Sequence, residues 1–200
     1  MKHVYVIDDN ETVANALSAT LTRFGYSTEV YLDPVVFLRD SLPVAPAVIL
    51  LDMRMPGMSG VELQKKLLEV GRQTPIVFIS GESQSSEIVR GMKQGAIDFL
   101  FKPFNLEDLL TAIETALAKD EKNTQDSQIK VSLRERYDCL TPREKEICAL
   151  LVEGNLSKKI AADLDISNAT IKVHKSKILA KMQVTSLQQL ALSVQQLGLR

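Results

Sequence analysis

Residues 47–60 read AVILLDMRMPGMSG, and they join a buried strand, a carboxylate and a helix start. The first five residues are all apolar, which is typical of a strand covered on both faces of a parallel sheet. Asp52 follows this strand directly. Ser59 with Glu62 forms a capping box, which predicts that a helix begins there. The stretch therefore predicts one strand–helix unit of a layered α/β domain.

Similar units lie on both sides of this stretch. Four further runs are typical of strands, at residues 4–7, 28–32, 76–79 and 98–101. Residues 10–24 have apolar side chains at helical spacing. Helix starts are predicted at Asp33-Pro34 and Asn105. Helix ends are predicted at Gly25, Gly71 and Gly95. Five such units predict a doubly wound, five-stranded parallel sheet with helices on both faces.

The chain turns polar between residues 119 and 130, which places a domain boundary there. This segment is either an extension of the preceding helix or a flexible linker. We expect a first domain over residues 1–120, a linker or helix extension over 121–136, and a second domain over 137–200.

The second domain has helical periodicity throughout. Thr141-Pro142-Arg143-Glu144 combines a capping box with proline in the first turn, and it predicts the first helix. Ser157 is expected to cap the second helix, residues 168–182 form the third, and Ser186 with Gln189 predicts a capping box for the fourth. The tight connection between the second and third helices indicates a helix-turn-helix.

Composition limits the function classes. The chain has 200 residues, 45% hydrophobic and 24% charged, which is typical of a globular protein and argues against disorder. No apolar run approaches the ~20 residues of a membrane span. No export signal is recognised, and Cys139 and Cys148 match no metal-ligand spacing. We therefore expect reduced cysteines, a cytoplasmic location and no membrane partner.

The charge differs between the two halves. Residues 1–120 hold 11 Lys and Arg against 16 Asp and Glu, whereas residues 121–200 hold 13 against 9. The net charges are thus −5 and +4. This asymmetry indicates different partners for the two halves, a metal ion for the first and nucleic acid for the second.

Polar residues stand at the predicted carboxyl ends of four strands. They are Asp8, Asp9, Asp52, Ser80 and Lys102. Ligands of open parallel sheets bind at this edge. Carboxylates in one patch need a cation, and Mg²⁺ prefers oxygen ligands. Lysine and serine can bind phosphate oxygens, so the set predicts a site that forms an aspartyl phosphate. The Asp8-Asp9 pair, taken alone, is more often part of a helix cap than of a binding site.

The first half resembles the receiver domain of bacterial two-component response regulators. The motifs are Asp8-Asp9, residues 52–60, Ser80-Gly81 and residues 101–104 (FKPF). This resemblance implies a flavodoxin-like fold, phosphorylation of Asp52 by a histidine kinase, and Mg²⁺, with Mn²⁺ as a substitute. The implied metal ligands are Asp9, Asp52 and the backbone carbonyl of Arg54, with Asp8 acting through water.

The same resemblance implies roles around the phosphoryl group. Ser80 and Lys102 would bind its oxygens, and Phe99 matches the aromatic switch position, although it can equally be a plain core residue. Arg54 and Glu82 are placed to govern the phosphate lifetime. Ser80 replaces the commoner threonine, and Phe99 the commoner tyrosine.

The third helix of the second half is basic. Four lysines (172, 175, 177 and 181) occur between residues 168 and 182, without an acidic residue. Ile171, Ile178 and Met182 share a face that predicts burial. The opposite face suits the major groove of DNA, although a lysine-rich face can simply be solvated. We expect His174, beside the apolar stripe, to be structural.

The second half resembles the LuxR-type DNA-binding domain. The motifs are residues 140–144 (LTPRE), Ile160-Ala161, residues 170–174 (TIKVH) and Lys181-Met182. The resemblance implies base contacts from Lys172, Val173 and Ser176, and phosphate contacts from Thr170, Lys177 and Lys181. Asp165 and Gln183 stand where the family usually has glycine. The fourth helix either packs on its own domain or also forms a dimer contact.

Together, the two resemblances predict a DNA-binding response regulator of the FixJ/NarL type. Phosphorylation would favour a homodimer and sequence-specific binding to double-stranded DNA, and the protein would not be an enzyme beyond its own phosphoryl transfer and slow dephosphorylation. The alternative is a phosphorylation-independent DNA-binding regulator whose receiver docks a protein. A phosphatase of the haloacid dehalogenase type would need a second acid where Arg54 stands.

Overall fold

The computed structural model describes residues 2–40, 46–81 and 84–199 of the chain. The chain divides into two compact units, residues 1–124 and 125–200. Among the described residues, no helix is both long and apolar enough to cross a membrane.

The first unit is a five-stranded parallel sheet with helices on both faces. The strand order is β2-β1-β3-β4-β5, and neighbouring strands are parallel throughout. The elements are β1 (His3–Ile7), α1 (Glu11–Arg23), β2 (Ser27–Tyr31), α2 (Pro34–Arg39), β3 (Ala47–Asp52), α3 (Gly60–Glu69), β4 (Ile76–Ser80), α4 (Ser85–Lys93), β5 (Asp98–Phe101) and α5 (Leu106–Asp138). The predicted doubly wound sheet is confirmed, and each strand lies within one residue of its predicted bounds.

The sheet separates two hydrophobic cores. Alternate residues of a strand point to opposite faces, so Tyr5 and Ile7 belong to one core and Val4 and Val6 to the other. All six residues of β3 are buried. The central strand therefore holds Asp52 rigidly at its carboxyl end.

Helix α5 continues well beyond the sheet. It spans Leu106–Asp138, so residues 121–136 are helical, and the division between the two units falls inside this helix. Asn105 precedes it, and its Oδ1 accepts a hydrogen bond from the backbone N–H of Asp108, as its cap assignment requires.

The second unit contains four short helices after the end of α5. They are α6 (Pro142–Val152), α7 (Ser157–Asp163), α8 (Asn168–Met182) and α9 (Leu187–Gln196). Their shared core includes the predicted residues Ile171, Ile178 and Met182, each fully buried. Cys139 is exposed and Cys148 buried, and both are free thiols.

Two helix starts differ from prediction. Ser157 is the first residue of α7 rather than its cap, because Leu156 occupies the cap position and makes no side-chain hydrogen bond there. Ser186 does cap α9, accepting from the N–H of Gln189. The Gln189 side chain, however, accepts from the N–H of Thr185, so the predicted reciprocal bond to Ser186 is wrong.

Candidate functional site

The carboxyl edge of the sheet brings several predicted site residues together. Asp8 follows β1, Asp52 ends β3, Ser80 ends β4 and Lys102 follows β5. Parallel strands end at the same edge of a sheet, so these side chains share one patch. Ser80 pairs with Phe101 in the register of β4 and β5.

Two buried carboxylates meet one ammonium group at this edge. The Nζ of Lys102 lies 2.7 Å from Oδ2 of Asp8 and 2.9 Å from Oδ1 of Asp52. Asp8 is 4% exposed and Asp52 is 8% exposed. Because buried carboxylates are costly without a partner, the ammonium is what permits both to lie here.

The second oxygen of each carboxylate accepts a backbone hydrogen bond. Oδ2 of Asp52 accepts from the N–H of Arg54 at 2.7 Å, and Oδ1 of Asp8 accepts from the N–H of Asn10 at 2.9 Å. Gly60, the first residue of α3, lies so close to the backbone carbonyl of Asp52 that a Cβ would collide with it. These contacts fix the orientation of both carboxylates.

The electrostatics of the pair follow from burial and contact. Burial raises the pKa of Asp52 above its ordinary value, and the hydrogen bonds from Lys102 and from the N–H of Arg54 only partly offset this. Burial alone would lower the pKa of Lys102. The hydrogen bonds to Asp8 and Asp52 together have the larger effect, and the pKa of Lys102 is raised above its ordinary value. Lys102 therefore stays charged beside the two carboxylates.

The other predicted residues of this edge lie around the pair. Asp9 is exposed, and Ser80 is 1% exposed. Phe99 is half-buried, packs against the core and contacts the exposed ring of Phe101, with ring centroids 4.7 Å apart. Glu82 lies outside the described residues.

One contact near the site was not predicted. A guanidinium nitrogen of Arg54 lies 3.7 Å from Oε2 of Glu87 on α4. Both side chains are about half exposed, so this ion pair contributes little to stability. Nothing in the sequence pairs the two residues, because they meet only when α4 packs beside the loop after β3.

The predicted metal ligands, all among the described residues, supply oxygen donors at this edge but do not form a compact cluster. Within residues 2–40, 46–81 and 84–199, no three His, Cys, Asp or Glu side chains are gathered closely enough to hold a metal. Asp8 and Asp52 instead share Lys102, and Asp9 is exposed. Their oxygen donors still fit Mg²⁺, which is bound through a few carboxylates and keeps several waters.

The predicted DNA-binding element is a helix-turn-helix formed by α7 and α8. Asp165 in the turn has a φ of +50°, the left-handed conformation expected where the family has glycine. The side chain of Ser167 caps α8 by accepting from the N–H of Thr170. Gln183 ends α8 with a φ of +55°.

The exposed face of α8 carries most of the predicted contact residues. Lys172, Val173, Ser176 and Lys177 are all exposed, and Val173 is 53% exposed. Thr170 is half-buried at the helix start, where its hydroxyl lies 2.8 Å from that of Ser167. The small side chains of this face leave room for close approach to a duplex.

Lys181 differs from the other predicted phosphate contacts. Its Nζ lies 2.6 Å from Oε2 of the buried Glu144 and 3.3 Å from the carbonyl oxygen of Cys139. The hydrogen bond from Lys181 lowers the pKa of Glu144 to about 2. The sequence predicts Glu144 as a helix-capping residue but does not reveal this partner, because a capping box involves only local neighbours.

Two family models match the chain. The response regulator receiver domain matches residues 4–114, and the bacterial regulatory proteins of the luxR family match residues 138–194.

Whole proteins match over both domains. The response regulator protein TmoT of Ectopseudomonas mendocina is 41% identical over 187 residues, which cover 94% of this chain and 85% of TmoT. The transcriptional regulatory protein FixJ of Rhizobium meliloti is 36% identical over 187 residues, or 92% of this chain and 90% of FixJ. A solved structure of the response regulator StyR is 38% identical, with a TM-score of 0.85 over 97% of this chain and 98% of StyR.

A receiver domain joined to a LuxR-type domain implies a sensor kinase as one partner and DNA as the other. The chain therefore belongs to the two-component response regulators that carry a LuxR-type DNA-binding domain, a family of transcription regulators.

Proposed function

We propose that Asp52 accepts a phosphoryl group from a sensor histidine kinase, and that this shifts the protein toward a dimer that binds a specific DNA sequence. The observation that carries the proposal is the meeting of two buried carboxylates, Asp8 and Asp52, on the ammonium of Lys102 at the sheet edge. A purely structural ion pair would need only one carboxylate for each ammonium, whereas here two carboxylates share one.

The transfer is a nucleophilic substitution at phosphorus. A carboxylate oxygen of Asp52 forms a bond to phosphorus as the P–N bond of the kinase's phosphohistidine breaks, and the histidine nitrogen keeps the electron pair and takes up a proton. Lys102, whose Nζ lies 2.9 Å from Oδ1 of Asp52, would bind the phosphoryl oxygens and oppose their charge. Asp9, Asp52 and the carbonyl of Arg54 would hold Mg²⁺, or Mn²⁺, with Asp8 assisting through water. The bound ion would neutralise charge on the transferring group.

Ser80 and Phe99 would couple phosphorylation of Asp52 to a conformational change of the receiver domain. Ser80 lies at the end of β4 and Phe99 is half-buried on β5, so the side chains lie on neighbouring strands. A phosphoryl group that draws the Ser80 hydroxyl toward it would let the Phe99 ring move inward. This pair is then the two-state element that phosphorylation biases.

On the DNA side, α8 would enter the major groove. Lys172, Val173 and Ser176 would face base edges, while Thr170 and Lys177 would contact phosphates. The support is the exposure of this face, together with an uninterrupted basic character from residue 168 to residue 182.

We expect no turnover of external phosphate esters, because Arg54 stands where a phosphatase of the haloacid dehalogenase type needs its second acid. The alternative function, constitutive DNA binding with a receiver that only docks a protein, predicts the same DNA affinity with and without phosphorylation.

The test is Asp52→Asn in the full chain, treated with acetyl phosphate and Mg²⁺. We expect the wild type to change from monomer to dimer in light scattering and to gain DNA affinity, and the variant to do neither. Asn keeps the size of the side chain but is a far weaker nucleophile.

Asp126→Asn, an exposed exchange on α5, is the matched control and should behave as the wild type. Dimerisation of Asp52→Asn on treatment would refute the proposal. Equal DNA binding by treated and untreated wild type would support the docking alternative.

A further inference from the structure

Lys181 is partly exposed, but its ammonium is bonded within the second unit, unlike that of the exposed Lys177 on the same helix. Its ammonium lies 2.6 Å from Oε2 of Glu144, and it also donates to the carbonyl oxygen of Cys139. Lys177, one helical turn earlier, is exposed. Two of the three donors of Lys181 are thus already used within the domain.

Glu144 joins two helix ends through one carboxylate oxygen. The residue is 3% exposed in the first turn of α6. Its Oε2 accepts from the backbone N–H of Thr141 at 2.8 Å as well as from Lys181. The N-terminus of α6 and the C-terminal turn of α8 are therefore connected through this oxygen.

The neighbouring residue makes a second connection from the same turn. A guanidinium nitrogen of Arg143 donates to the carbonyl oxygen of Leu164, which ends α7, at 3.0 Å. The first turn of α6 thus contacts the ends of both helices of the helix-turn-helix. On either side of Lys181, Ile178 and Met182 are fully buried in the core, so a change in the Lys181 contact would move a packed segment.

We propose that Glu144 and Lys181 form a positioning pair that sets the angle of α8 for DNA, and that Lys181 is not a phosphate contact. To reach a phosphate, the ammonium would have to leave a buried carboxylate, which would keep the N–H of Thr141 but lose its charged partner, and that is strongly unfavourable. The inference rests on the proposed DNA contact by α8. Comparing Lys181→Met with Lys177→Met distinguishes failure of the positioning pair from failure of that DNA contact.

The experiment compares Lys181→Met with Lys177→Met in the full chain. The probe is a labelled duplex selected from a random pool with the wild-type protein, and affinity is measured over a range of salt concentrations. A lost phosphate contact reduces the slope of log affinity against log salt by about one. We expect that reduction for Lys177→Met. For Lys181→Met we expect an unchanged slope with about tenfold weaker binding.

Glu144→Gln provides an independent variant. Glutamine can still accept from the N–H of Thr141 and keep the capping box, but it removes the charge that holds Lys181. It should reproduce the affinity loss of Lys181→Met, and the double variant should bind no worse than either single one. If Lys181→Met fails to fold, Glu144→Gln alone still tests the pair through affinity and slope.

Two results would overturn the inference. The first is a slope of log affinity against log salt that is reduced by about one in Lys181→Met, while the free energy of unfolding is unchanged. That result would make Lys181 a phosphate contact. The second is wild-type affinity at temperatures where the Lys181→Met or Glu144→Gln protein is fully folded, which would leave the pair only a structural role. Wild-type affinity and slope for Lys177→Met would instead refute the DNA contact by α8.

Discussion

Gln183 ends α8 in the left-handed conformation, with a φ of +55°. A residue with a Cβ pays roughly 1–2 kcal/mol for this conformation, whereas glycine adopts it freely. We expect Gln183→Gly to raise the free energy of unfolding by about 1 kcal/mol, measured by urea unfolding followed by circular dichroism.

Gln128→Gly, in the exposed interior of α5, is the matched control and should lower stability by about 1 kcal/mol, because glycine disfavours regular helix. A loss of stability in Gln183→Gly equal to that of the control would show that the left-handed end is not strained.

The pKa of Glu144 gives the second unit a defined pH dependence. It is lowered to about 2, mainly by the hydrogen bond from Lys181. A carboxyl group with a depressed pKa stabilises the fold above its unfolded pKa of about 4.3, and this contribution is lost as the pH falls toward the folded value. We expect the protection of the α6 and α8 amides against hydrogen exchange, relative to the unfolded chain at the same pH, to be lower below about pH 4 than at pH 6.

Glu144→Gln is the control for this prediction, since glutamine does not titrate. The difference in protection between wild type and Glu144→Gln should be largest near neutral pH and should shrink on acidification. A difference that stays constant with pH would mean that the ion pair does not stabilise these helices.

At the scale of the element, α4 packs closely against the sheet at Gly91. A Cβ on Gly91 would lie 2.7 Å from Cε2 of Phe78, whose ring is buried in the core. The carbonyl of Gly91 also accepts from Nε2 of the buried Gln64 on α3. The helix is therefore held at close range from two sides, and a larger residue would displace it.

We expect Gly91→Ala to lower the free energy of unfolding by up to about 2 kcal/mol in urea unfolding. The overlap should cost about 1–3 kcal/mol, and the better helix propensity of alanine returns only about 1 kcal/mol. Lys93→Ala, an exposed exchange in the same helix, should leave stability nearly unchanged. Stabilisation by Gly91→Ala would mean that α4 has room to shift.

At the scale of the whole molecule, the first unit contains its own hydrophobic cores. Both receiver cores are built from residues up to Leu117. Beyond them, Oδ2 of Asp120 on α5 accepts from the N–H of Ala47 at 2.9 Å, at the start of the strand that ends in Asp52. The unit is therefore complete only when α5 reaches that residue.

We expect a fragment of residues 1–124 to fold and to be phosphorylated by acetyl phosphate at the rate of the full chain, as measured by mass spectrometry. A fragment of residues 1–118 lacks Asp120, leaves the N–H of Ala47 without this partner, and should be about 1 kcal/mol less stable. Failure of the longer fragment to fold would show that the first unit depends on the second.

The sequence by itself determined the strand and helix order, the two domains, and the site residues at the sheet edge. It could do so because these features depend on local patterns: apolar runs, capping residues, and polar side chains placed just after strands. Asp8, Asp52 and Lys102 could be predicted as neighbours because parallel strands bring their carboxyl ends to one edge.

Only the tertiary structure decided how those residues are paired. It placed Lys102 between the two carboxylates, Arg54 beside Glu87, and Lys181 on Glu144. No local pattern specifies such contacts, because they join residues far apart in sequence, and their geometry follows from helix packing. Lys177 and Lys181 have the same chemistry in the sequence, and only the contact with Glu144 distinguishes Lys181, which connects two helix ends, from the exposed Lys177.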